Sequence, residues 1–184
     1  MLKPEILVFA GPNGSGKSTI TSNIKIIGEY INADEIKKSL GCSDLEAAQK
    51  ATALRENLVQ RKADFTFETV LSSTRNIELL QKAKNEGYFI KCFYVLTENP
   101  SINVQRVSVR VQQGGHDVPK SKIIERYTKC LNLIPQIIEL SDVFHLYDNT
   151  IEPFRIFKKR KDEYLFWESE IWNIERIKQL VEIK

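Results

Sequence analysis

The sequence predicts an α/β fold in which a mainly parallel, five-stranded sheet carries helices on both faces. Two observations predict it: strand-like and helix-like segments alternate along the chain, and the first apolar run leads directly into a glycine-rich turn. Repeated strand–helix units favour a parallel sheet. With 184 residues the chain suits a single domain, with a helical lid expected at residues 100–130 and a C-terminal hairpin and helix at residues 151–184.

The composition is that of a globular protein. Hydrophobic residues make up 42% of the chain and charged residues 28%, which excludes the disordered class. The formal net charge of +3 is mildly basic and does not by itself indicate a nucleic-acid partner, which is not expected here. The three cysteines are widely spaced and predict reduced thiols rather than a zinc site or disulfide framework. The N-terminal apolar run is too short for a signal segment or a membrane span, so we expect a cytoplasmic protein without membrane contact.

Apolar runs set the expected strands, and the run at residues 6–10 is typical of a strand buried on both faces. Strands are predicted at residues 6–10, 30–34, 65–69, 88–96 and 143–147, with the hairpin at 154–157 and 164–167. Helices are predicted at residues 17–27, 35–40, 44–62, 76–85, 99–113, 118–140 and 171–183, the sixth of them kinked or restarted at Pro135.

The glycine-rich turn reads GPNGSGKS at residues 11–18 and matches the phosphate-loop pattern G-x-x-x-x-G-K-[ST]. Glycines let backbone amides turn towards phosphate oxygens, and the helix that follows points its positive end at the same anion. We therefore expect ATP and Mg²⁺ here, with Lys17 exposed to the ligand at the β- and γ-phosphates and Ser18 ligating the metal. The predicted nucleotide-binding residues are Gly11, Pro12, Asn13, Gly14, Ser15, Gly16, Lys17, Ser18, Thr19 and, after the fifth strand, Asn149.

The remaining motifs narrow the class of ATP-using protein. The sequence has no NKxD element of a GTPase and no clean run of four apolar residues before Asp-Glu, as an ABC or AAA ATPase requires. The small size favours a phosphotransferase that acts on a small-molecule acceptor. Two other classes stay open: a nucleotide-binding switch that hydrolyses ATP slowly, and a kinase acting on nucleic acid. The basic run at residues 158–161 resembles a nucleic-acid patch but is more typical of a solvated hairpin turn, balanced by Asp162 and Glu163.

Two carboxylates follow predicted strands at the edge of the sheet where ligands bind. Asp34 comes 17 residues after Lys17, where a carboxylate can accept the proton of an attacking hydroxyl, or alternatively cap the next helix. Glu68 orients the acceptor, or holds Mg²⁺ through water, or forms a strand-end salt bridge, for instance with Arg75. The polar residues Thr69, Ser72 and Ser73 are expected to line the acceptor pocket, with Ser72, Ser73 or Thr74 capping the following helix.

A basic segment forms the predicted lid. Arg106 and Arg110 lie four residues apart on one helix, and an arginine aimed at a transferring phosphoryl group stabilises its charge. Residues 103–130 hold six basic and two acidic side chains around a Gly-Gly hinge, which fits either a lid over phosphates or a solvated helix face. His116 in the hinge either donates to a phosphate or is solvated.

Together these residues resemble the zeta toxin family of P-loop kinases. The shared elements are GPNGSGKST at 11–19, NAD at 32–34, FET at 67–69, the Arg106/Arg110 helix, GGHDVP at 114–119 and LYDN at 146–149. The resemblance implies an ATP-dependent kinase. The better-known members phosphorylate a UDP-activated amino sugar and are held off by an antitoxin.

The resemblance also implies roles for individual residues. Lys17 and Ser18 bind phosphate and Mg²⁺, Asp34 is the base, Glu68 is an acceptor-site carboxylate and Arg110 is a lid arginine. The chain departs from the better-known toxins at residues 69–73, which lack their glycine- and arginine-containing turn. Their second lid arginine falls near His116, and Arg126 is the candidate substitute.

Overall fold

The computed structural model describes residues 3–183, which form a seven-stranded sheet in the order β2-β3-β1-β4-β5-β6-β7. The strands are β1 (Glu5–Ala10), β2 (Glu29–Ile31), β3 (Phe65–Thr69), β4 (Phe89–Leu96), β5 (Val143–Asp148), β6 (Phe154–Arg160) and β7 (Glu163–Phe166). The helices are α1 (Lys17–Thr21), α2 (Ala33–Leu40), α3 (Asp44–Gln60), α4 (Arg75–Asn85), α5 (Pro100–Gln112), α6 (Lys120–Asn132), α7 (Ile134–Leu140) and α8 (Ile174–Val181).

The five strands from β2 to β5 are parallel, which confirms the predicted fold class. In the register of β1 with its neighbours, Phe9 lies opposite Glu68 of β3 and Phe93 of β4. The carboxyl ends of these strands therefore meet at one edge, from which the glycine-rich loop and the segments after β2 and β3 emerge.

The C-terminal hairpin adds two strands to the expected five. Strand β6 pairs antiparallel with β5, and β7 pairs antiparallel with β6. The basic run that was interpreted as a solvated hairpin turn lies mostly within β6, where the Lys159 ammonium donates to the Ile138 carbonyl of α7 at 2.6 Å. Backbone pairing and a cation at the carboxyl end of a helix account for these charges.

Alternating side chains of β1 fill two apolar layers. Ile6 and Val8 belong to the larger core cluster, whereas Leu7 and Phe9 pack with Ile20 of α1 on the opposite face of the sheet. All four β1 side chains are almost fully buried, as the continuous apolar run predicts. No helix within residues 3–183 is long and apolar enough to cross a membrane.

The predicted bounds of one helix and one strand need correction. Helix α1 ends at Thr21 rather than residue 27, because the hydroxyl of Ser22 and the amide of Asn23 both donate to the Thr19 carbonyl and compete with the helix ladder. Strand β2 ends at Ile31, so Asp34 lies in the first turn of α2 and not on a strand. The predicted restart before Pro135 is confirmed, since α7 begins at Ile134.

Candidate active site

The glycine-rich loop wraps the end of β1 in a conformation that depends on its glycines. Gly16 precedes α1 with φ 90°, and an added Cβ would collide with the amide of Asn149. Gly14 has φ 77°, and a Cβ there would press on the backbone of Asn103. Both positions therefore exclude a side chain for reasons of backbone conformation and of space.

Two asparagine amides from distant helix and strand ends hold this loop in place. The fully buried Asn103 of α5 donates to the Asn13 carbonyl at 2.7 Å, and it accepts from the Thr97 hydroxyl. Asn149, after β5, donates to the Ser15 carbonyl at 2.8 Å. The Asn149 side chain, expected to contact the nucleotide, is thus bonded to the loop itself.

Lys17 is buried, contrary to the expected exposure to ligand, with 8% of its surface accessible. Its ammonium donates to the Gly11 carbonyl at 2.9 Å and to the Pro12 carbonyl at 3.2 Å, because the loop folds over it. Burial lowers the pKa of Lys17, while the Glu68 carboxylate, 3.9 Å away, opposes that shift.

Two adjoining cavities open beside Lys17. The smaller, here the loop cavity, has a volume of about 180 Å³ and is lined by Gly14, Gly16, Lys17, Ser18, Glu68, Arg106, Val107 and Arg110. The larger, here the helix cavity, has a volume of about 240 Å³ and lies among the starts of α2 and α4 and one face of α3. Both are lined by Gly14, Lys17, Glu68 and Arg110, so these residues stand at their junction.

Asp34 lines the helix cavity and is exposed. The alternative role of helix cap belongs to Asn32, whose side-chain oxygen accepts from the Asp34 amide at 2.9 Å. The Asp34 carboxylate is therefore not needed to cap α2 and remains available to a ligand.

Glu68 ends up between a lysine and a tyrosine. The Tyr30 hydroxyl donates to its Oε2 at 3.2 Å, and its Oε1 lies 3.9 Å from the Lys17 ammonium. The suggested salt bridge with Arg75 is absent among the described residues. Burial, helped by the charge of Glu68, raises the pKa of Tyr30 to about 12, so the hydroxyl keeps its proton at neutral pH.

The polar turn after β3 lines the helix cavity in part. Thr69 and Ser73 line it, whereas Ser72 is not among its lining residues. The N-cap residue of α4 is Thr74, but its hydroxyl bonds Glu78 instead of a backbone amide, so the predicted side-chain cap was wrong. Asn76 of the same first turn donates to the Thr69 hydroxyl at 2.7 Å.

The predicted lid arginines face different partners. The Arg106 guanidinium donates to the carbonyls of Asn149 and Thr150 at 2.7 and 3.0 Å, which fixes it at the rim of the loop cavity. Arg110 donates to the His116 carbonyl at 2.7 Å, and its Nε lacks a hydrogen-bond partner. Arg126 reaches the Asn13 side chain at 3.4 Å.

His116 lies away from both cavities. Its ring contacts the Lys37 ammonium at 3.5 Å and lies 4.0 Å from the Asp44 carboxylate, on a separate surface beside α2. The structure therefore does not bring His116 together with the phosphate loop.

Sequence reasoning missed several residues that line the helix cavity, among them Thr52, Arg55, Asn76 and Arg75, which was considered only as a salt-bridge partner. A signal for Arg55 was present, because Ala47, Ala51 and Leu58 share its helix face at spacings of three and four residues. Asn103, which holds the loop, gave no comparable signal, since its partner Asn13 is ninety residues away.

The arrangement suits phosphate chemistry. Backbone amides, Lys17 and two arginines surround the loop cavity, and carboxylates lie on the adjoining side, as transfer from a polyphosphate to a hydroxyl requires. Within residues 3–183, no cluster of three or more His, Cys, Asp or Glu side chains could hold a metal ion by itself.

Comparison with known proteins agrees with this geometry. A family model described as Zeta toxin matches residues 2–171. An uncharacterized protein of Haemophilus influenzae is 28% identical over 133 residues, which cover 69% of this chain and 95% of that protein.

Solved structures share the fold at low identity. A complex of AvrRxo1-ORF1 and AvrRxo1-ORF2 with sulphate ions matches with a TM-score of 0.76 and 16% identity, over 97% of this chain and 64% of the matched one. This chain thus spans less than two thirds of that relative's length. The PezAT toxin-antitoxin system of Streptococcus pneumoniae matches with a TM-score of 0.57 and 16% identity, over 100% of this chain and 85% of the other.

Proposed function

The chain belongs to the Zeta toxin family, and on this premise we propose that it is a kinase that transfers the γ-phosphate of ATP to a hydroxyl of a small-molecule acceptor. The observation that carries the proposal is the junction of the two cavities at Lys17, Glu68 and Arg110. Nucleotide phosphates in the loop cavity would face an acceptor in the helix cavity across this junction. A solved complex of AvrRxo1-ORF1 and -ORF2 with ATP, similar in fold, supports the choice of nucleotide.

In the proposed reaction, the acceptor oxygen forms a new bond to the γ-phosphorus. The bond from that phosphorus to the β–γ bridging oxygen breaks, and ADP leaves with the electron pair. The hydroxyl proton passes to the Asp34 carboxylate, whose position in the helix cavity is free of a capping role. Lys17 and Arg110 stabilise the charge on the transferring group, and Glu68, held by Tyr30, orients the acceptor.

The residues present fit Mg²⁺ bound together with a polyphosphate. The Ser18 hydroxyl is exposed in the loop cavity and Glu68 lines the same cavity, so one hydroxyl and one nearby carboxylate are available. Mg²⁺ in kinases is held by few protein groups plus phosphate oxygens and waters, so a dedicated cage is not required. When bound, the ion would neutralise charge on the β- and γ-phosphates.

We further propose a role as the toxin of a toxin-antitoxin pair in the cytoplasm. The support is the family itself and the fold shared with the PezAT toxin-antitoxin system. A UDP-activated amino sugar is the candidate acceptor that the family resemblance implies.

The test is to incubate the protein with ATP labelled at the γ-position and a low-mass cell extract, and then to separate the labelled products. A labelled small molecule is expected. Release of labelled inorganic phosphate alone would instead identify a slow ATPase switch, and label in RNA or DNA would identify a nucleic-acid kinase. Purified UDP-amino sugars, supplied in place of the extract, test that acceptor directly.

A further inference from the structure

Arg55 is a buried charge of the helix cavity. It projects from α3 over the Phe67 ring of β3, with its guanidinium carbon 5.1 Å from the ring centroid, and 6% of its surface is accessible. One of its nitrogens donates to the Thr52 hydroxyl at 3.2 Å. Its Nε is buried without a hydrogen-bond partner. A buried donor of this kind is costly unless a ligand or side chain completes it.

No carboxylate compensates this charge. Among residues 3–183, neither Arg55 nor Arg75 has a carboxylate oxygen within 4.0 Å. Burial lowers the pKa of Arg55 to about 10, and the positive charge of Arg75 lowers it further while Glu56 opposes the shift. Arg55 therefore stays protonated at neutral pH with a second cation for a neighbour.

Arg75 approaches the same cavity from α4. It is the first residue of that helix, and with Asn76 it places the helix N-terminus at the cavity wall. The Thr74 hydroxyl does not cap the helix, so the partial positive charge of its first turn adds to the two guanidinium groups, and the exposed Glu78 carboxylate of that turn offsets it only in part. Arg55 and Arg75 line only the helix cavity, so they do not belong to the phosphate loop.

We propose that Arg55, Arg75 and the first turn of α4 form an oxyanion subsite, so that the acceptor carries a phosphate or carboxylate group besides the hydroxyl that is phosphorylated. This inference rests on the proposed kinase function. Guanidinium groups match both oxyanions through paired N–H donors. With about 240 Å³, the helix cavity encloses a small acceptor or the anionic end of a larger one.

The first experiment is calorimetric titration of inorganic phosphate and of acetate into protein saturated with Mg²⁺ and a non-hydrolysable ATP analogue. The nucleotide keeps phosphate out of the loop cavity. We expect one binding site for phosphate, acetate or both, weakened about 10-fold or more in Arg55→Gln and in Arg75→Gln, since a charged hydrogen bond is lost. Arg61→Gln, an exposed arginine at the end of α3, is the matched control and should leave binding unchanged.

Arg75 is exposed, so Arg75→Gln should fold even if Arg55→Gln does not. The absence of anion binding, or equal binding by wild type and Arg75→Gln, would overturn the subsite. If the ATP analogue itself does not bind, the kinase proposal fails. The titration is then repeated without nucleotide, where loss of binding in the two variants still supports the subsite.

The second experiment separates the low-mass extract on an anion exchanger at neutral pH before the phosphotransfer assay. The acceptor is expected in the retained fraction, and one in the unretained fraction would contradict the subsite. Pretreatment of the retained fraction with a nucleotide pyrophosphatase and alkaline phosphatase destroys an acceptor that carries a phosphate or diphosphate and spares one that carries only a carboxylate. If neither fraction accepts label, the kinase proposal is at fault and the calorimetry alone decides the subsite.

Discussion

The two cavities are built in opposite ways. Around the loop cavity, polar groups are bonded to one another: Lys17 to two loop carbonyls, Asn149 to Ser15, and Arg106 to two carbonyls after β5. Residues that line the helix cavity alone are less completely bonded: among residues 3–183 the Nε of Arg55 lacks a hydrogen-bond partner, and no side chain caps the start of α4. The first is preorganised for one ligand, whereas the second leaves its charges for a ligand to complete. This difference suits the proposed function, in which the loop cavity takes ATP, a phosphate donor common to many kinases, and the helix cavity takes an acceptor specific to this protein.

The largest effect is expected from the carboxylate of the helix cavity. Asp34→Asn should lower phosphotransfer about 10²- to 10⁴-fold, the usual cost of losing a general base. Affinity for a non-hydrolysable ATP analogue should stay near that of wild type, because Asp34 does not line the loop cavity. Turnover assays beside calorimetry measure the two quantities.

Glu35→Gln, the neighbouring exposed carboxylate of α2, is the control for this substitution. Loss of ATP·Mg²⁺ binding in Asp34→Asn would place the residue in the metal shell. Wild-type turnover by Asp34→Asn would mean that another carboxylate is the base, with Glu68 as the candidate.

Lys17→Ala tests the loop cavity and should lower both phosphotransfer and the affinity for the ATP analogue. We expect phosphotransfer to fall about 10²- to 10³-fold, as for loss of one preorganised donor to a developing charge, together with weaker binding of the ATP analogue. The fold should survive, because burial disfavours the charged lysine in the first place. Circular dichroism and thermal melting check the fold, and Lys25→Ala, which lies outside both cavities, is the control. Full turnover by Lys17→Ala would mean that the loop cavity is not the donor site.

Asn103→Ala should show that the loop cavity depends on a residue outside its motif. The substitution removes the donor to the Asn13 carbonyl and the acceptor of the Thr97 hydroxyl. Leaving buried groups unpaired should lower the free energy of unfolding by about 1–3 kcal/mol and should weaken binding of the ATP analogue. Urea unfolding measures the first effect, with Gln105→Ala on the exposed face of α5 for comparison. Unchanged stability and affinity would show that the loop holds its shape unaided.

His145 lies in the sheet, outside both cavities, and its effect on the pH dependence of stability serves as a comparison for the cavity variants. It stacks on Phe93 at 4.7 Å between ring centroids, and burial, with nearby Arg155, lowers its pKa to about 4. Between pH 6.5 and 4 the unfolded state therefore binds more protons than the folded state. The contribution of His145 to stability is complete above pH 6.5 and is lost as the pH falls towards 4.

The loss should amount to about 1–3 kcal/mol, since one pKa unit corresponds to roughly 1.4 kcal/mol. Denaturant unfolding of wild type and His145→Gln across this pH range measures the difference. Parallel stability curves for the two proteins would contradict a buried neutral imidazole.

Prediction from sequence succeeded where the signal is local. Strand β3 has the predicted bounds and β4 differs by one residue, because β3 alternates aromatic and polar residues and β4 is a mainly apolar run. The phosphate loop was recognisable because its residues are consecutive. Helix α1 was overestimated since hydrogen bonds of Ser22 and Asn23 to the backbone end it early.

The parts that escaped prediction depend on contacts distant in sequence. The unpartnered Nε of Arg55 follows from its position over Phe67 and from the absence of a nearby carboxylate among residues 3–183, neither of which its own helix reveals. The hairpin was predicted, but its addition to the β5 edge is a matter of tertiary pairing. The apolar face of α3, which includes Arg55, is the sequence feature that most nearly indicates the helix cavity.

Helix α5 carries a consequence for where the chain tolerates foreign sequence. Asn103 and Arg106 attach its N-terminal half to the loop and to the end of β5, and Val107 packs with Val118 and Ile123 of the following segment. These contacts hold α5 and α6, the helices of the predicted lid, to the rest of the fold. The short exposed turn between the two helices is the part left free to move. Foreign sequence spliced beside Asp117, which is exposed and outside any helix or strand, would therefore leave these helices in place and would reach the active site through the neighbouring His116 carbonyl, which accepts from Arg110.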